Sequence, residues 1–178
     1  ESLKGLPTRT TQFGRFDKGL AYTILMKYYM HEKNWAKAEE CGRELLKAEY
    51  GYGLMDRYAD IFTLENEGNK EIIFACTEER GTNLQLWHDH ALPGNYPTKN
   101  ASIQKWDGYK VPWPFYRTFE EGDDRLSVLV GQYVGTDGVL FNEESDIAKH
   151  GNLYSGAVPV KYGEDPESTG DGSQIDLV

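Results

Sequence analysis

Apolar positions along the chain follow a helical period first and lose it later. In residues 14–50, Phe16, Leu20, Ile24 and Tyr28 recur every four residues, with Ala21, Leu25 and Tyr29 on the neighbouring row. Trp35, Ala38, Cys41, Leu45 and Ala48 then repeat at steps of three and four, with Gly42 and Leu46 beside them. The pattern predicts two antiparallel helices joined by a tight turn at residues 32–35. Helices this short bury their stripes against one another or against neighbours. Ala21, Ala38 and Gly42 are small enough to let the two backbones approach closely. Asn34 is the expected N-cap of the second helix, and Trp35 its large apolar anchor. Gly51 or Gly53 is the expected left-handed C-cap. One such unit of helix, turn and helix fits a tetratricopeptide-type hairpin.

After the hairpin the signals shorten. Residues 1–13 are a Thr-rich extended lead-in. Met55, Tyr58, Ala59 and Phe62 have helical spacing, which predicts a helix over 56–64 capped by Asp56. Residues 65–69 are a polar turn, and the apolar run 71–76 is a buried strand. From 77 to 116 the helical period disappears under repeated Gly and Pro. A long irregular region of this kind either carries function or forms a packed irregular layer. Phe115 to Leu129 begins as a helix and weakens after Gly122. Val128–Val130 and Gln132–Val134 read as strand broken at Gly131, and Val158, Val160 and Tyr162 as a further strand. Residues 135–156 are polar and Gly-rich, 163–173 form an acidic Gly/Ser-rich loop expected to be mobile, and 175–178 read as strand. Both ends of the chain read as cuts in something longer. The fold class expected is mainly α: a tetratricopeptide-like helical scaffold (14–66), a long irregular ligand-facing region (77–178) and a few short strands.

Composition narrows the chemistry. The 178 residues hold 12 Tyr, 4 Trp and 7 Phe, a balance that favours rings with polar tips, as at binding surfaces. The formal charge of -10 leaves no basic stripe for nucleic acid and disfavours adsorption on anionic lipid. It suits a neutral ligand. Cys41 and Cys76 define no disulfide framework and are expected as buried free thiols. No apolar run is long enough to span a membrane, and the first residues do not form a signal peptide.

Several stretches together resemble the SusD/RagB-like family. Gly14-Arg15-Phe16-Asp17-Lys18-Gly19-Leu20-Ala21 is similar to its G-R-x-x-K-G-A-A helix opening, and Asn34-Trp35-Ala36-Lys37-Ala38 to its aromatic turn and following Ala. Tyr58-Ala59-Asp60-Ile61-Phe62 followed by Asn69-Lys70-Glu71-Ile72-Ile73-Phe74 resembles Y-x-x-L/I-F…N-x-E-x-I-F. The run from Phe119 to Asp123-Asp124-Arg125 resembles F-x-x-x-D-x-R. The resemblance implies a non-enzymatic binding protein that captures glycans, or in some members peptides, on the outer face of the outer membrane in Bacteroidetes. It implies a lipid anchor, expected in a part of the protein outside this sequence, and a SusC-like TonB-dependent transporter as partner. It also implies that Asp124 and Arg125 tie the irregular region down as an ion pair.

Candidate site residues follow from how a protein reads a neutral sugar: the C–H face stacks on a ring, and amides and carboxylates take the hydroxyls. Trp87, Tyr96, Trp106 and Tyr109 are the candidate stacking rings, with Asn83, Gln85, Asp89 and Asn95 as hydroxyl partners. Trp113, between two prolines, is expected to be structural. His88 and His90 would share a face of a strand, but no third metal ligand is identifiable, so no metal and no cofactor are expected. Glu120, Glu121, Asp123 and Asp124 could be mistaken for paired glycosidase carboxylates; the cluster reads as a solvated helix end. Asp165, Asp171 and Asp176 do not keep the spacing of a Ca²⁺ loop. The alternative function is a tetratricopeptide-type module that binds a peptide or protein; a glycoside-active enzyme comes third.

Overall fold

Helices α1 (Lys18–His31) and α2 (Trp35–Leu45) form the predicted hairpin in the computed structural model, which describes residues 2–178. Asp17 caps α1 by accepting from the Leu20 amide at 2.9 Å, and Asn34 caps α2 by accepting from the Lys37 amide. Ala38, Cys41 and Leu45 are the buried row of α2, as their spacing requires. The chain divides into two units: residues up to Asp56 with Gly68–Thr77 and Val178, and Arg57–Glu67 with Glu78–Leu177.

The predicted row Phe16, Leu20, Ile24 and Tyr28 is not the inner face of α1, although Leu25 and Tyr29 of the neighbouring row do lie beside α2. Gly19 is the buried residue of α1, and a Cβ there would lie 1.9 Å from the Tyr52 hydroxyl oxygen. That close approach fixes the rotation of the helix. At about 100° per residue, Ile24 lies roughly 140° and Tyr28 about 180° from Gly19, on the outer side. Both are exposed, as is Phe16. The row turned inward is Gly19, Tyr22, Met26 and Tyr29: Tyr22 meets Tyr50 edge-on, Met26 faces Gly42, and Lys37 lies over Tyr29. Trp35 is 63% exposed, so it is not the buried anchor expected. The left-handed cap at Gly51 closes a 3-10 turn, Ala48–Tyr50, rather than α2 itself.

Other expectations are also corrected. Ser2–Gly5 is a 3-10 turn within the lead-in. Residues Tyr58–Phe62 form a 3-10 helix whose N-cap is Arg57, so Asp56 does not cap it, and Ile61 and Phe62 are its buried pair. The run 71–76 forms no strand, only a single bridge position at Cys76; Lys70 and Glu71 accept from the backbone amides of Gly53 and Met55. Ile72 and Ala75 are buried there, but Cys76 is exposed, whereas Cys41 is buried; both thiols are free. The final residues form no ladder strand either, with single bridge positions at Ser173, which pairs with Gln85, and at Leu177.

In the second unit the irregular region holds more regular structure than its Gly and Pro content suggests. It contains α3 (Trp87–Ala91), α4 (Trp113–Tyr116) and α5 (Glu143–Lys149). Strands β1 (Val111–Pro112), β2 (Leu129–Val130) and β5 (Gly156–Pro159) make an antiparallel sheet in the order β1-β5-β2. Strands β3 (Gln132–Val134) and β4 (Leu140–Asn142) form a hairpin, so the break at Gly131 separates two sheets. Gly156 pairs with Pro112, and a Cβ there would come 2.1 Å from the Val111 carbonyl oxygen. Leu92, Trp113, Tyr133, Leu153, Ala157 and Val158 lie at the core. Trp113 is structural, as expected: its indole N–H donates to the Leu153 carbonyl at 2.8 Å.

The acidic loop 163–173 is stitched down rather than loose. Asp165 is fully buried and takes Arg80 Nη2 at 2.8 Å, along with the Glu167 and Gln174 amides. Asn100 Nδ2 donates to the Asp165 and Ser168 carbonyls. The polarity that suggested mobility is used inside the protein.

Candidate functional site

The site is built on the C-terminal end of α3. A helix end leaves carbonyls without intrahelical donors. Here the following loop supplies them. Trp106 N–H donates to Asp89 O at 2.6 Å, Asp107 N–H to Leu92 O at 3.0 Å, and the Gly108 and Tyr109 amides to His90 O at 2.6 and 2.8 Å. Asp107 adopts a left-handed φ of 55°, which a short polar side chain tolerates, and its carboxylate pairs with Lys110. A Cβ at Gly108 would press to 3.1 Å on the His90 carbonyl oxygen. The loop is therefore held by its backbone, and its two rings are free to face outward.

Those rings are Trp106 and Tyr109, 49% and 43% exposed. His90 sits between them: its imidazole meets Trp106 edge-on at 4.8 Å and stacks on Tyr109 at 5.2 Å with 29° between the planes. Trp87 backs Tyr109 at 5.5 Å, and its indole N–H is spent on the Pro159 carbonyl at the end of β5. The Trp106 N–H donates to Gln104 Oε1, whose Nε2 donates to the Gly170 carbonyl. The result is a ring surface without a net charge of its own, fixed by backbone and indole hydrogen bonds.

Three of the four candidate rings are thus brought together, and His90 joins them. Tyr96 is not among them. It packs on Tyr133 at 5.0 Å and lines a separate cleft with His88. The candidate hydroxyl partners fare worse. Gln85 and Asp89 are buried; Gln85 Oε1 accepts from the Trp87 amide, and burial pushes the Asp89 carboxyl above its usual range. Asn95 is consumed by Tyr133, Asn152 and Asp137, and Asn83 donates to Glu78. The part of His90 was hidden because residues 88–90 read as strand; in a helix, Trp87 and His90 share a face.

In the acidic stretch, Asp123 and Asp124 are each tied down by a hydrogen bond. Arg125 pairs with Asp123, which holds the Asp place of F-x-x-x-D-x-R, and not with the expected Asp124, and that hydrogen-bonded guanidinium holds the Asp123 carboxyl below its usual range. A glycosidase acid needs the opposite shift. Asp124 accepts from the Tyr58 amide. Among the described residues no His, Cys, Asp and Glu side chains group as a metal site, and no helix is long and apolar enough to cross a membrane.

No protein-family model matches the sequence, and no curated protein matches it. Solved structures do. Surface glycan-binding protein A from Bacteroides thetaiotaomicron, in complex with laminarihexaose, superposes with a TM-score of 0.71 at 17% identity, over 98% of this chain and 43% of that one. Surface glycan-binding protein A from Bacteroides uniformis gives 0.71 at 17%, over 98% and 38%. A SusD superfamily protein from Bacteroides fragilis gives 0.59 at 17%, over 91% and 36%. The fold is that of the SusD superfamily. Mainly α with short strands, it is the class the sequence predicts. The chain spans less than half the length of these solved structures.

Proposed function

We propose that this protein binds oligosaccharide at the bacterial cell surface and is not an enzyme. The single observation behind this reading is the outward pair Trp106 and Tyr109, braced by His90 and held on the carbonyl end of α3 by four backbone hydrogen bonds. A pyranose stacks its C–H face on such rings without needing charge. Two structural neighbours named as surface glycan-binding proteins support the ligand class. Trp87 is the backing ring. In this reading the protein is lipid-anchored on the outer membrane and passes its ligand to a SusC-like TonB-dependent transporter.

Because the rings are pre-positioned, little conformational entropy is lost on binding, and affinity accumulates over several sugar units. Titration of intrinsic tryptophan fluorescence with neutral α- and β-linked oligosaccharides tests the proposal. A saturable change that disappears in Trp106→Ala supports it. Unchanged fluorescence and no heat of binding across the panel would refute it. A second reading, a peptide-binding tetratricopeptide-type module, draws on the exposed outer row of α1, Phe16, Ile24 and Tyr28. It predicts a peptide interaction indifferent to Trp106.

A further inference from the structure

Behind the aromatic surface, His88 lies on the same short helix but points elsewhere. It is 5% exposed, and its Nε2 has no hydrogen-bond partner. The imidazole also bonds to the Tyr162 backbone carbonyl, so that bond runs through Nδ1–H. A ring that donates from Nδ1 carries a lone pair on Nε2. Burial, the dominant influence, pushes the imidazole below its usual range, which keeps it neutral. An orphan acceptor in a folded interior costs free energy comparable to a lost hydrogen bond, and its position decides what would satisfy it.

His88 lines an open cleft of about 260 Å³. Leu92, Val160, Tyr96 and Tyr162 give it apolar and aromatic walls, and Lys99 and Glu164 flank them. Glu164 Oε2 accepts from the Lys99 and Asn100 amides, which leaves its second oxygen as acceptor capacity. The volume lies below the ~300–1,000 Å³ common for drug-sized ligands, so the cleft suits one ring rather than a chain. Lys99 and Glu164 also border a shallower depression of about 500 Å³ with Asn100, Ser102 and Pro166, through which a substituent on that ring can leave.

We propose that this cleft is a second binding site that takes one neutral polyhydroxylated ring, the terminal monosaccharide unit of a glycan, with a ligand hydroxyl donating to His88 Nε2, an atom closed to solvent in the free protein that a shift of the cleft wall uncovers on binding. Tyr96 is then a wall of this cleft, not part of the open surface around Trp106. The ring face lies against Tyr96 or Tyr162, and further hydroxyls meet Glu164 and Lys99. Either a free sugar or a chain end presents the same hydroxyls. The choice of carbohydrate rests on the function proposed above.

The test uses the whole chain with ¹⁵N-labelled histidine. Its His88 and His90 resonances, assigned with His88→Phe and His90→Phe, report the cleft and the open surface separately. Methyl glycosides of glucose, galactose, mannose and xylose are added at millimolar concentration, then longer oligosaccharides. The proposal predicts that at least one sugar of the panel, monosaccharide or oligosaccharide, shifts the His88 Nε2 signal upfield and saturably. Trp106→Ala leaves that shift in place, and Glu164→Gln, which keeps an acceptor for both amides, weakens it about threefold or more. A His90 shift with oligosaccharides while His88 stays still under every sugar would overturn the cleft and spare the proposed function. A His88 shift without any His90 response would uphold the cleft and remove the open surface. If only the oligosaccharides move His88, the ligand is a chain end; if the methyl glycosides suffice, it is the single ring.

Discussion

Removing the indole of Trp106 should cost more binding free energy than removing any other exposed ring. A Trp side chain offers roughly 250 Å² at most, so 49% exposure leaves about 120 Å², of which one sugar covers about half. Burying about 60 Å² at ~25 cal/mol per Å² contributes about 1.5 kcal/mol. The oriented ring contact adds about 0.5–1.5 kcal/mol. Trp106→Ala therefore loses about 2–3 kcal/mol, a rise in Kd of roughly 30- to 150-fold. Trp106→Phe retains a face and loses the N–H that holds Gln104, so a rise of about three- to tenfold follows. Isothermal titration with the tightest oligosaccharide from the panel measures both, with Trp35→Ala as the control: Trp35 is more exposed than Trp106 and stands at the start of α2, outside the braced pair. If Trp106→Ala stays within twofold of the parent, or Trp35→Ala matches its loss, the argument from a braced, outward ring pair fails.

Other perturbations test the scaffold and the charge. Gly156→Ala forces a Cβ against the Val111 carbonyl, where backbone rather than a pliable side chain must yield; a loss of about 2–3 kcal/mol lowers the melting temperature by roughly 5–10 °C, and a calorimetric scan within 1–2 °C of the parent would show that β1 and β5 do not meet there. Tyr52→Phe removes a buried hydroxyl that has no partner and is expected to raise the urea midpoint by about 1 kcal/mol equivalent. It should also soften Gly19→Ala, whose new Cβ would otherwise strike that hydroxyl; additive effects in the double variant would contradict the contact. Burial pushes the carboxyls of Glu67, Glu78 and Asp176 upward, with Asp176 raising the other two by charge. A raised folded-state carboxyl contributes stability that is full below its unfolded value and is lost as pH rises through the folded one. Asp176→Asn keeps an acceptor for the Glu78 amide, so it should stabilise the fold at pH 7 and flatten this contribution above pH 4; urea titrations at several pH values with parallel curves for parent and variant would refute the coupling.

The sequence made the hairpin legible because its signals are local. Asn34 caps within three residues, and Ala38, Cys41 and Leu45 need only a helical period. Which face of α1 turns inward was not local: Gly19 has no side chain to score as apolar, yet its contact with Tyr52, thirty-three positions on, sets the rotation. The same reason hid α3. Its five residues are too few for a period, and Gln85 and the loop amides of 106–109 supply its end hydrogen bonds. At the acidic loop, polarity suggested mobility because a sequence does not show that Arg80 and Asn100 converge on Asp165 and its carbonyl. Ring content did point to the right stretch, since Trp87, Trp106 and Tyr109 meet, while Tyr96 separated because Pro93 and the tight turn at Tyr96 carry it toward Tyr133.

The two proposed sites differ in what they can discriminate. The Trp106 and Tyr109 rings are fixed by backbone, and Gln104, the amide at their side, is already bonded on both ends. Such a surface reads the apolar face of a sugar and is tolerant of hydroxyl stereochemistry. The cleft is the reverse. A buried acceptor such as His88 Nε2 penalises any ligand that leaves it unpaired, and rejection of that kind is stronger than a methylene's worth of contact. Affinity should then come from the open rings and selectivity from the imidazole. Epimeric monosaccharides that differ in one hydroxyl should be nearly equal in their effect on His90 and several-fold apart at His88. Equal discrimination at both imidazoles would mean that the rings, not the buried nitrogen, carry the choice of sugar.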